Sequence, residues 1–181
     1  MNKLIFVLFL CVQISFAQKT KKVITPQGQI SFFSYTSVEN IKAENNQVFS
    51  IIDLSDGSIA ISMLMNTFIF EKALMKEHFN ESYIESDLYP TATFKGSILK
   101  FDPTIQGKQI KMIEGEFKMH GVTKNLKIKA TIENNKGTYA INGTFETLVE
   151  DYNINIPPLL AGNIAKNIEV NFNFEYQPYE N

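Results

Sequence analysis

Arginine and tryptophan are both missing from this sequence, and cysteine occurs once, at Cys11. Without arginine the chain lacks the planar, bidentate donor that most often reads phosphates and base edges, and no lysine stripe interleaved with aromatics takes its place. Nucleic acid is not an expected partner. The single cysteine excludes a disulfide framework, and downstream of residue 11 it also excludes a thiolate nucleophile or a cysteine-ligated metal. A domain there must be held by its own apolar core. Long apolar runs are scarce too, because the longest, Leu4 to Ile14, falls short of the roughly 20 residues that span a bilayer's hydrocarbon core. No G-x-S-x-G, P-loop or dinucleotide fingerprint is present, and nothing in the motif content argues for an enzyme or a bound cofactor.

What is there begins with MNKLIFVLFLCVQISFAQ, where Lys3 precedes the apolar run and small residues Ser15 and Ala17 follow it. This is the order of a secretory signal peptide, expected over residues 1–17. Leu10 rather than a small residue precedes Cys11, which disfavours lipid attachment at that cysteine. Cleavage of 17 residues from 181 leaves residues 18–181, a cysteine-free chain of 164 residues with 16 lysines against 19 acidic residues. Its length suits one well-buried domain. The expected destination is the periplasm or the medium, with no transmembrane anchor after signal cleavage.

Along that chain, alternation of apolar and polar residues dominates, which is the mark of half-buried strands. It predicts strands over Gln29–Phe33, Val48–Asp53, Ser58–Met65, Ala92–Leu99, Ile110–Met119, Asn125–Glu133, Thr138–Phe145 and Asn167–Tyr176, with Asp56-Gly57 as a hairpin turn. The segment FEKALMKEHFNESYIESDLYP breaks the pattern and reads as one or two short helices ending before Pro90. The stretch from Glu146 to Lys166 reads as a loop with a short helical turn. Eight antiparallel strands with one polar face each share one interior, either as a closed barrel or as a two-sheet sandwich. Small residues interleave with large ones on the inward rows, among them Ala92, Gly96, Gly115, Ala130 and Gly143, and small inward residues can make room.

Two histidines are the first candidates for chemistry. His120, beside Gly121 at the end of a strand, reads as a turn corner with an orienting hydrogen bond rather than a general base. His78 lacks the companions of a metal ligand. Glu114 and Glu116 share a strand face with Lys118 and read as a solvated outer row, and Glu150-Asp151 as a turn cap. The apolar rows remain, and they fit either a dry core or a lipid pocket, since aromatic and Met-rich walls offer contact area without demanding polar partners. Twelve of the 15 phenylalanines lie beyond the signal.

The stretches Tyr89-Pro90-Thr91-Ala92-Thr93-Phe94-Lys95-Gly96 and Phe117-Lys118-Met119-His120-Gly121-Val122-Thr123-Lys124 resemble paired signatures of the YceI-like family. Leu74 to Asn80 ahead of the first signature and Asp151-Tyr152 before the last strand fit the same pattern, so the resemblance runs from about Gly28 to Tyr176. It implies an all-β, antiparallel, eight-stranded lipocalin-like barrel with a short helical insert, binding a polyisoprenoid or related amphiphilic lipid in exported bacterial proteins. It also implies inward positions for Phe94 and Phe117, a strand start after Pro90 and a turn at His120-Gly121. The stretch Phe32 to Asn40 lacks the His and Gly that many members carry after the first strand, so a head-group contact made there in relatives does not carry over.

The function expected is a non-enzymatic carrier of a polyisoprenoid, quinone or fatty-acid-like lipid. The expected contacts are Ile30, Phe32, Ile61, Met63, Phe94, Phe117, Ile128, Ile141, Phe172 and Phe174. A ligand-free structural or interaction barrel is the first rival, and an enzyme acting on bound lipid through His120 or His78 is the second. An unpaired strand edge would favour a homodimer.

Overall fold

The computed structural model describes residues 22–158 and 161–179, so the signal peptide and cleavage site read from residues 1–17 lie outside the described residues. The described chain is nine strands and little else: β1 (Lys22–Tyr35), β2 (Asn40–Asp53), β3 (Ser58–Leu64), β4 (Ile69–Phe70), β5 (Thr91–Ile98), β6 (Gly107–Met119), β7 (Val122–Asn135), β8 (Thr138–Leu148) and β9 (Asn167–Pro178). Eight of them pair antiparallel around a ring, β1-β2-β3-β5-β6-β7-β8-β9, that closes back on β1. The architecture is therefore an eight-stranded barrel, and the sandwich alternative falls. β4 is a two-residue addition against Ala43 and Glu44 of β2. β1 is paired on both sides, so the ring has no end strand.

The inward rows are those the alternation implies. Ile59, Ala92, Phe94, Ile113, Phe117, Ile128, Ile132, Phe172 and Phe174 are all buried in one continuous core. Burial of such rows on a closed sheet is the dominant favourable term in a fold of this kind. No helix among the described residues is long and apolar enough to cross a membrane.

Six of the strands exceed their expected length, β1 and β2 by the most. β1 begins at Lys22 rather than Gln29, because a bulge between Thr25 and Gly28 absorbs Pro26 and lets pairing with β2 resume on either side. β2 begins at Asn40, and its inward row carries Asn45, a polar residue that interrupts the apolar signal. Asn45 is fully buried, its Nδ2 donating to the Leu64 carbonyl at 2.9 Å and to Thr67 Oγ1 at 2.8 Å. A buried amide so satisfied costs little.

The helical insert is smaller than its 21-residue pattern suggests. Helix α1 covers Ala73–His78 and runs straight into a widened turn over Phe79–Tyr83. No side chain caps its start, so packing rather than capping holds it, chiefly Phe79, whose ring lies 5.0 to 5.6 Å from those of Phe32, Phe68 and Phe70.

The inward glycines do not make room as expected. Gly96 and Gly115 face each other across β5 and β6, and a Cβ on either would meet backbone at 2.3 Å with a Phe94 ring atom within 3 Å. The ring of Phe172 fills the same role over Gly143. Each glycine accommodates a neighbouring aromatic ring, as cross-strand aromatics do over sheet glycines elsewhere.

Candidate functional site

The ring has two distinct ends. The lower end carries residues 54–57, 99–106 and the hairpin at 136–137, while the upper end carries residues 36–39, 65–90, the hairpin at 120–121 and residues 149–158 and 161–166. At the lower end polar groups stitch the barrel shut. The Ser50 hydroxyl donates to the Ala60 carbonyl at 3.0 Å, which leaves its oxygen to accept from the Tyr176 hydroxyl at 2.7 Å. Burial pushes the Tyr176 phenol far above its ordinary range. Tyr139 Oη and Asn134 Nδ2 both donate to the Pro103 carbonyl, at 3.0 and 2.8 Å, tying the segment 99–106 across the opening. Phe101 rests edge-on against Tyr139.

Above this floor lies a cavity of about 460 Å³, within the range of small-molecule sites. Its walls are apolar over most of their height: Ile59, Ile61 and Met63 of β3, Phe94 of β5, Ile113 and Phe117 of β6, Ile128 of β7, Phe172 and Phe174 of β9. One wall is an aromatic cluster, with Phe32 of β1 within 5.4 to 5.9 Å of Phe68, Phe70 and Phe79. Polar side chains gather toward the upper end, where Ser34, Glu39, Lys72, His78, Tyr83, Thr147, Tyr152 and Asn163 border the space. Lys72 Nζ donates to Glu39 Oε1 at 2.6 Å, closing part of the rim between α1 and the β1–β2 hairpin, and that hydrogen bond raises the ammonium's pKa. Ser34 is 2 % exposed and accepts the Ala165 N–H at 2.8 Å. Ile154, Ile156 and Ile164 overhang the opening from the β8–β9 connection.

Nine of the ten residues expected to meet a lipid border this cavity: Ile30, Phe32, Ile61, Met63, Phe94, Phe117, Ile128, Phe172 and Phe174. Ile141 does not. It pairs with Ile132 and Phe174 lower in the barrel, and its own exposure is 0 %. The periodicity placed it on the inward row but carried no height. Alternation does not point to Phe68, Phe70 and Phe79 as wall residues, because Phe68 follows the short turn Met65–Thr67, Phe70 lies in the two-residue β4 and Phe79 follows α1, where period two gives no inward face.

His120 is a corner with a second task. It and Gly121 adopt left-handed φ values of +50° and +75°, the signature of a two-residue type I′ hairpin between β6 and β7. The imidazole is inside the upper loops: Nδ1 donates to the Tyr152 carbonyl at 2.7 Å, Nε2 lies 3.0 Å from Glu85 Oε2, and the ring meets Tyr89 edge-on at 4.5 Å. Both nitrogens are engaged, and the side chain does not border the cavity. His78 stands at the rim, 6.5 Å ring to ring from Tyr83. Glu114 pairs with Lys127 on the outer face, and Asp151 with Lys124 at 2.8 Å. Among the described residues no three His, Cys, Asp or Glu side chains come close enough to hold a metal ion.

Three solved structures share the fold. A polyisoprenoid-binding domain from Saccharophagus degradans, described as implicated in plant cell wall breakdown, superposes with a TM-score of 0.76 at 12% identity, covering 89% of this chain and 100% of its own. BcnA from Burkholderia cenocepacia gives 0.69 at 14% identity, with 83% of this chain and 96% of that one covered. The YceI protein of Campylobacter jejuni gives 0.64 at 14% identity, covering 81% and 90%. No curated protein sequence is similar enough to count as a match. The sequence profile of the YceI-like domain matches residues 13–176, nearly the whole chain, and with the barrel and its cavity in place the protein belongs to the YceI-like family.

Proposed function

We propose that this protein is an exported, non-enzymatic carrier that holds the chain of an amphiphilic lipid in the barrel, with the polar end of the lipid toward the upper rim. The observation that carries this reading is the division of the cavity, apolar through its depth and polar only near its opening. A polyisoprenoid, a quinone tail and a fatty acyl chain all fit that division. The domain from Saccharophagus degradans, described as polyisoprenoid-binding, supports the first of these.

Volume bounds the chain. If a methylene takes roughly the 30 Å³ that a water molecule occupies in the liquid, the cavity accommodates about 15 of them. At about 0.8 kcal/mol for each buried methylene, that is about 12 kcal/mol gross, against roughly 4–15 kcal/mol lost to association and ordering. Export is supported by the order of charge, apolar run and small residues in residues 1–17.

Native mass spectrometry of the protein purified from its own cell envelope, followed by organic extraction, tests the proposal. A stoichiometric lipid that leaves on denaturation is the expected result, and its fragmentation names the chain. A bare polypeptide mass that persists after addition of polyprenol, quinone and fatty acid would overturn it in favour of a ligand-free barrel.

A further inference from the structure

The pairing of β7 with β8 covers only half of the available length. It runs from Asn135↔Thr138 to Ala130↔Gly143 and stops there. Above that point β7 continues to Val122 bonded to β6, and β8 continues to Leu148 bonded to β9, so the two strands diverge. Five residues of β8, Thr144 to Leu148, flank the gap, which at about 3.3 Å per residue makes a seam about 16 Å tall. Leu126 and Ile128 on one side and Phe145 and Thr147 on the other all border the cavity. The seam is thus a side wall made of side chains alone.

A comparable shortening at β2 and β3 is closed differently. There the buried Asn45 side chain bonds the Leu64 carbonyl, and β4 resumes pairing with β2. At the β7–β8 seam the closure is one short turn, Val149–Tyr152, which leaves the end of β8 and folds back against both strands. Tyr152 is 1 % exposed, its ring edge-on to Phe117 at 5.7 Å, and it borders the cavity. The turn joins β8 covalently but reaches β7 and the hairpin that precedes it through polar ties: Asp151 to Lys124, and the Tyr152 carbonyl to His120 Nδ1. Both members of the ion pair are about 40 % exposed, the kind of contact that forms and breaks at little cost.

We propose that this seam is a side portal through which the chain of a bound lipid enters and leaves, with Tyr152 as its plug and Lys124 and His120 as its latch. The proposal rests on the lipid-binding reading above. Parting at this seam breaks no strand ladder, whereas parting at any of the other seven junctions of the ring breaks backbone pairs. A long chain can then exchange with a bilayer sideways, a few methylenes at a time, instead of threading end-on past the rim.

Stopped-flow binding of cis-parinaric acid, a fluorescent fatty acid, to the full mature protein tests the portal. Asp151→Asn and Lys124→Met are each expected to raise the association and dissociation rates together, about three- to fivefold, with Kd unchanged within twofold. The Lys124→Asp, Asp151→Lys exchange restores the pair in reverse and is expected to return both rates toward those of the parent. Amide hydrogen exchange over residues 144–152 should quicken in Asp151→Asn while that of β5 and β6 stays constant. Unchanged rates in both single variants, with normal binding, would overturn the portal and leave the lipid reading standing. No binding of the probe to the parent protein would overturn both.

Discussion

At the lower end of the barrel Tyr176, Tyr139 and Asn134 each direct their polar atoms onto a fixed partner, and Ile52, Ile132 and Ile141 beside them are fully buried. At the upper end Phe32, Phe68, Phe70 and Phe79 touch one another along one wall, and the polar groups above them stand at the edge of open space. Both ends are made by the same alternating strands. The difference lies in the connections, since the segment 99–106 is short and returns its carbonyls to Asn134 and Tyr139, while residues 65–90 place Phe68, Phe70 and Phe79 in the cavity wall and residues 149–158 border its opening. A full cross-section needs loops that donate partners inward as well as strands that bury apolar rows.

That contrast can be broken most severely at Ile141. Ile141→Ala in the filled half is expected to cost about 2–5 kcal/mol, while Ile61→Ala, which enlarges a space that already exists, costs less than half of that. Urea denaturation of both variants checks the ranking, and equal losses would erase the distinction between the ends. Next in size is occlusion. Ile61→Trp, whose added ring has the cavity to occupy, should cost no more than about 1–3 kcal/mol of stability in urea and abolish most lipid binding. Retained stoichiometric binding would place the chain elsewhere.

Tyr176→Phe sharpens the comparison from the other side. Loss of its bond to Ser50 is expected to cost about 0.5–1.5 kcal/mol at pH 8. Because burial raises the folded-state pKa of this phenol above the unfolded value near 10, its contribution is complete below pH 10 and declines as pH climbs beyond it. The parent should therefore lose stability between pH 10 and 11.5 more steeply than Tyr176→Phe, as measured by urea midpoints across that interval. The smallest effect is expected at the rim, where Glu39→Gln removes an exposed ion pair with Lys72 and should leave the midpoint where it was.

Much of the barrel was legible in the residues, and the reasons for the rest are physical. β5 and the middle of β7 alternate without interruption over Ala92–Ile98 and Leu126–Ile132, so the inward face follows from period two, whereas β6 begins with a buried Gln109 and an exposed Ile110. Asn45 hid half of β2, because a buried amide satisfied by Leu64 and Thr67 looks, in sequence, like a solvated one. The wall residues were legible through their faces. Their depth was not, and this is why Ile141 was grouped with Phe174 although only one of them reaches the cavity. Tyr152 gave no signal beyond its place in the late loop, since its position depends on His120 and Lys124, more than 25 residues earlier in the chain. His120 was readable as a corner from the glycine that follows it. Its bonds to Glu85 and the Tyr152 carbonyl were not, for they join three connections that meet only once the ring has closed.

The rings that lie over the inward glycines make the cavity a ruler whose scale is set by side chains. Phe94 over Gly96 and Gly115, and Phe172 over Gly143, take up space that the backbone has already vacated. Trimming either ring would lengthen the measure without moving a strand, so selection for a longer or shorter chain can act on two phenylalanines while the sheet that holds them stays as it is.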